Sequence, residues 1–144
     1  MIEALLKEKL RGYIGENNPD LLLQLNKDCS LTGYLENKIA AIAPALEQWI
    51  SDGKPAYILE ELAMQRLTED LLPSRYLYLK ELLEEDFAAS YASFRRIGVL
   101  TYELVNMVEY CRPVFDGWGF SVENEDNRQL RYAITGAMDE YLHQ

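Results

Sequence analysis

Cysteine is scarce in this chain and histidine almost absent. Cys29 and Cys111 lie far apart and in no Cys-x-x-Cys pair, and His143 is the single histidine among 144 residues. A structural zinc site needs about four thiolate or imidazole ligands, and a disulfide framework needs more cysteines at closer spacing. Two reduced thiols are therefore expected, with no metal and no other cofactor. Long apolar runs are missing as well. The opening MIEALLKEKLRGYI interleaves leucines with charges, too polar for a signal peptide or a membrane span, so a cytoplasmic location is expected. Basic residues are outnumbered, 14 against 24 acidic, for a net charge of −10. A field of that sign repels phosphate backbones and anionic lipid head groups. Duplex DNA and membrane surfaces are excluded as main partners, whereas another protein, a basic one in particular, is not.

Strand signals are lacking too. No run alternates β-branched residues with polar ones, and Asp52-Gly53 and Asp116-Gly117 follow helical patterns instead of joining two strands. What is present, in a chain 49% hydrophobic, is apolar spacing near 3.6 almost throughout. Ile2, Leu5, Leu6, Leu10, Tyr13 and Ile14 form a first stripe that Gly15 closes. Asn18-Pro19 restarts a short helix, because proline fits the first helical position, where its missing N–H has no partner to lose. A third helix spans Leu31 to Asp52, with Leu35, Ile39, Ile42, Leu46, Trp49 and Ile50 inward. Gly53 is its stop, and Pro44 inside it predicts a kink or two abutting helices. Pro55 opens a fourth helix, and Tyr76 to Phe87 make a fifth. A break near Ala88–Tyr91 precedes a sixth, running from Phe94 through Val108 to Pro113. The stretch from Arg112 to Asn127 is read as irregular. Asp126 or Asn127 caps a last helix carrying Leu130, Ala133, Ile134, Ala137, Met138 and Tyr141 inward. The reading is all-α: one domain over residues 1–144, an irregular or orthogonal bundle of about six or seven helices with short connections.

Several of these signals fall in a familiar order. YIGENNPDLL, then a long helix, then GKPAYILEELAMQRLTEDLLPSRYLYLKELLEEDF, then LRYAITGAMDEYL resembles a family of small helical Bacteroidetes proteins, a domain of unknown function commonly found with conjugative transposons. The matching features are Asn18-Pro19-Asp20-Leu21, Glu61-Leu62-Ala63, Glu85-Asp86-Phe87 and Thr135-Gly136-Ala137. The stretch around Trp118 departs most. The resemblance implies an all-helical fold and a mobile-element setting, and it brings no catalytic residues.

Candidate chemistry is thin. Glu140 and His143 have the spacing of a di-metal helix motif, but that motif needs a second Glu-x-x-His on a facing helix, so the pair is read as a helix end. Glu81, Glu84, Glu85 and Asp86 fit the solvated side between Leu82, Leu83 and Phe87, not an acid–base pair with separated pKa values. No Gly-x-Ser-x-Gly elbow or phosphate-binding glycine loop is present. Arg95 with Arg96, and Arg128 with Arg131, are read as surface ion-pairing residues. VFDGWGF is different. Phe115, Trp118 and Phe120 either plug the core or anchor a partner, and Trp118 is read as the plug. The expected function is a non-catalytic interaction or accessory protein encoded on a mobile element. The alternative is an acidic regulator that binds a basic nucleic-acid protein or mimics DNA.

Overall fold

The computed structural model describes residues 2–144. Among them every regular element is helical: α1 (Ile2–Asn17), α2 (Pro19–Lys27), α3 (Leu31–Ser51), α4 (Ala56–Thr68), a 3₁₀ turn (Glu69–Leu71), α5 (Arg75–Asp86), α6 (Ala88–Ile97), α7 (Leu100–Tyr110), α8 (Arg112–Trp118) and α9 (Arg128–Leu142). The all-α expectation stands. Among the described residues the count of six or seven is corrected to nine, and the single domain over 1–144 resolves into two compact units, Met1–Leu71 and Leu72–Gln144. Each holds twelve acidic against seven basic residues, half of the −10 apiece.

In the first unit, Leu6, Leu10 and Ile14 of α1, Leu35, Ile39, Ile42 and Leu46 of α3, and Ala63 and Leu67 of α4 form the core. Pro44 does not split α3, which runs through it as one 21-residue helix. Trp49 is half-buried with the Arg66 guanidinium 5.7 Å from its ring. Two residues assigned inward are exposed. Ile50 lies 55% exposed in the last turn of α3, and Leu5, 46% exposed, sits on the flank of its stripe.

In the second unit, α5 contributes Tyr76, Leu79, Leu82 and Leu83, α7 contributes Leu104, Met107 and Val108, and α9 contributes Leu130, Ile134 and Met138. Cys111 and Phe115 complete this core. Ser74 and Asn127 start α5 and α9 as side-chain caps, accepting from the Leu77 and Leu130 N–H groups at 3.1 and 3.0 Å. The expected break after α5 falls at Phe87. A second, unexpected one falls at Gly98, so the predicted sixth helix is two. The region Arg112–Asn127 is likewise half helix, since α8 occupies its first seven residues.

One device ends four of the nine described helices. A residue with positive φ lets its own N–H and that of the residue after it turn back onto the last carbonyls, the Schellman arrangement. Gly53 does this for α3, Gly98 for α6 and Gly119 for α8, with φ of +79°, +79° and +60°. The returning bonds are 2.9–3.3 Å long, as in Lys54 N to Trp49 O (3.2 Å), Val99 N to Phe94 O (2.9 Å) and Phe120 N to Phe115 O (3.0 Å). After α2 the same turn is made by Cys29, the only non-glycine with positive φ (+54°) among the described residues. It is closed by the Ser30 N to Leu25 O bond at 2.9 Å.

A side chain in the left-handed region costs about 1 kcal/mol, and Cys29 is exposed. Cys29→Gly is therefore expected to raise stability by about 0.5–1 kcal/mol despite the entropy glycine adds to the unfolded chain. Urea unfolding midpoints of the two proteins measure this, and a lower midpoint for the variant contradicts it.

Candidate binding site

The aromatic segment is settled by its helix end. α8 stops at Gly119, and the Schellman turn brings the residues on either side of the stop, Phe115 and Phe120, together with ring centroids 4.8 Å apart. Phe115 is fully buried and Phe120 packs against the same core. Trp118, read as the plug, is instead 40% exposed. Trp118 is the last residue of α8, one turn beyond Phe115, where the helix has ended and its ring reaches solvent, and Gly117 is an ordinary helical residue. Phe115 is the plug. The arginine at the start of α5 closes over it: the Arg75 guanidinium carbon lies 5.0 Å from the Phe115 ring centre, and Arg75 pairs with Asp116 at 2.8 Å.

The two phenylalanines seat a third ring. Tyr78 of α5 meets Phe120 and Phe115 edge-on, with centroids at 5.0 and 5.9 Å. Its hydroxyl is buried and takes no hydrogen-bond partner. Beside it lies a recess of about 170 Å³ lined by Tyr78, Glu81, Leu82, Glu125, Asp126, Asn127 and Arg131. Asn124 shapes the far wall by tying down the turn that carries Glu125 and Asp126. Its amide donates to the Trp118 and Gly119 carbonyls at 2.9 and 3.2 Å, and its Oδ1 accepts from the Ser121 N–H at 2.8 Å. Arg131 reaches out of α9 to Glu85 (3.0 Å) and Asp86 (3.2 Å) at the end of α5. Desolvation pushes the Tyr78 phenol up from its ordinary value. Asp126, Glu125 and Glu81 add to that and Arg131 opposes it, so the hydroxyl stays protonated at neutral pH, able to donate and to accept.

The remaining candidates divide cleanly. Glu85 and Asp86 hold Arg131, while Glu81 faces the recess and Glu84 is exposed. His143 turns back onto its own helix, its Nδ1 2.8 Å from the Asp139 carbonyl oxygen and 3.3 Å from the Asp139 carboxylate. Glu140 is exposed, and no cluster of three or more metal-ligating side chains occurs among the described residues. Arg131 pairs as expected, whereas Arg95, Arg96 and Arg128 enter no ion pair among the described residues. Cys111 is buried, which pushes its thiol up to about 11 and leaves it unreactive at neutral pH. Tyr78 and Glu125 carry no sequence-level assignment, and Asp126 was expected only as an alternative helix cap, a place that Asn127 takes. The available signal was a tyrosine between two inward positions of α5, Tyr76 and Leu79, with an acidic NEDN turn ahead of α9.

Comparisons of the chain with protein-family models, with curated proteins and with solved structures found no match.

Two stability measurements test this arrangement. Phe115→Ala should cost about 3–5 kcal/mol, the usual range for a buried ring, and Trp118→Ala no more than about 1 kcal/mol. Equal losses in chemical denaturation would contradict it. Tyr78→Phe should leave stability unchanged or raise it by up to about 1 kcal/mol, because the hydroxyl it removes is buried without a partner. A loss above 1 kcal/mol would mean that the hydroxyl is bonded within the fold.

Proposed function

We propose that the chain is a non-catalytic cytoplasmic interaction protein, an accessory factor of a mobile element. The mobile-element setting rests on the sequence resemblance. The observation that carries the interaction reading is the recess of the second unit. Glu81, Glu125 and Asp126 line it, its one guanidinium is already occupied by Glu85 and Asp86, and the Tyr78 hydroxyl is left without a partner. A group entering there meets net negative charge and a hydroxyl with hydrogen-bonding capacity to spare. Lysine or arginine on the surface of another protein has the matching chemistry.

The second reading, an acidic regulator of a basic nucleic-acid protein, draws on the same recess. The α5 carboxylates Glu81, Glu85 and Asp86 and the turn carboxylates Glu125 and Asp126 gather about one place. A site for one or two cations fits the accessory reading, and a long charged surface standing in for DNA demands more than this recess offers.

A calorimetric titration of the full chain with a peptide rich in arginine and lysine tests the proposal. Binding is expected, falling as salt rises, and the combined Glu81→Gln, Glu125→Gln, Asp126→Asn variant should bind about tenfold more weakly, a loss of about 1.4 kcal/mol. Duplex DNA should give no complex at physiological salt. A submicromolar DNA complex, or peptide affinity that ignores the triple variant, overturns the proposal.

A further inference from the structure

Seven of the ten tyrosines fall in the second unit, and several are not used by its core. On α7, Leu104, Met107, Val108 and, just past its end, Cys111 point inward. The opposite face carries Tyr102, Asn106 and Tyr110 at a spacing of four, so the two tyrosines stand about 12 Å apart along the helix with Asn106 between them. Tyr102 is 66% exposed and Tyr110 37%. Tyr141 of α9 extends the patch. Its ring meets Tyr110 edge-on at 5.6 Å, and its hydroxyl donates to Glu103 at 2.8 Å. Glu109 lies on the same outer face and pairs with Arg112. The face thus interleaves three phenol rings with the Glu103 carboxylate and the Glu109–Arg112 pair.

We infer that this outer face of α7, bordered by Tyr141, is a second docking surface, and that its occupant is an arginine-bearing segment of a basic partner protein. The inference rests on the basic-partner reading above and assigns it a further site and a side-chain preference. Charge complementarity selects the occupant. A second copy of the chain would bring two bodies of −10 together, an approach that like-charge repulsion opposes. A guanidinium matches both elements of the patch at once, since its plane lies on a tyrosine ring while its N–H groups reach a carboxylate. An ammonium is more strongly hydrated and has no plane to stack. The Tyr141 hydrogen bond uses one oxygen of Glu103 and holds that carboxylate in place before a ligand arrives. The face is thereby preorganised.

The test is a titration of the full chain with two peptides of equal length and charge, one carrying arginines and one lysines. The arginine peptide should bind at least about fivefold tighter, near 1 kcal/mol. Tyr102→Ala combined with Tyr110→Ala should abolish that preference, and Tyr102→Phe should keep it because the ring face survives. Thermal unfolding of each variant checks that these exposed substitutions leave the fold intact. Arginine preference that persists in the double variant overturns the inference. If the Glu81, Glu125, Asp126 variant alone then removes binding, the recess keeps its role and only the α7 face loses its own. If neither peptide binds at all, both readings fall. A concentration-dependent dimer that Tyr102→Ala dissolves gives the face to a second copy and also overturns the inference.

Discussion

A helix that stops leaves its last carbonyls without intrahelical partners. In the second unit, one such stop governs the rest. At the end of α8, Gly119 takes a φ of +60°, and the Phe120 N–H turns back to the Phe115 carbonyl. That hydrogen bond brings the two phenylalanine rings together, and the pair seats Tyr78. Tyr78 in turn holds its hydroxyl at the wall of the polar recess. A β-carbon at position 119 would meet no neighbouring atom, so the position favours glycine for its backbone angle and not for room.

Electrostatics then decide what the recess can hold. Arg131 is the cation nearest to it, and a lone guanidinium would offset much of the negative charge of the lining. Glu85 and Asp86 remove that offset by holding Arg131 from the end of α5. These ion pairs are solvent-exposed and each contributes little to stability. Their consequence is the sign of the site: Glu81, Glu125 and Asp126 are left facing a small space with a neutral phenol beside it.

The tyrosines of this unit show how one residue type serves separate ends. Tyr76 is buried in the core, and Tyr78 is a packed ring with an unused polar tip. Tyr141 is tied to Glu103, whereas Tyr102 lies mostly in solvent. An amphipathic ring suits all four because its large apolar area and single hydroxyl are useful separately. Composition alone does not separate these uses, since they depend on which helix lies opposite each ring.

The sequence by itself determined the helical class and most helix starts. Apolar spacing near 3.6 depends on local geometry, and the cap at Asn127 and the proline at the first position of α2 act within one turn of their own place. Gly53 was readable as a stop for the same reason. Gly98 and Gly119 use the same turn, but Gly98 was hidden inside a stretch whose apolar pattern continues past it, and Gly119 inside a segment too short in apolar pattern to be read as a helix. Cys29 was unreadable as a stop, because nothing in a cysteine announces a left-handed backbone. Only the tertiary structure decided that Phe115 is the plug and Trp118 the exposed ring. Both are aromatic residues in one seven-residue helix, and their fates depend on the helical phase of α8 relative to α5. The recess was hidden for a similar reason. Its lining comes from α5, a turn and α9, up to 53 positions apart, and only packing brings charges so distant in the chain to one place.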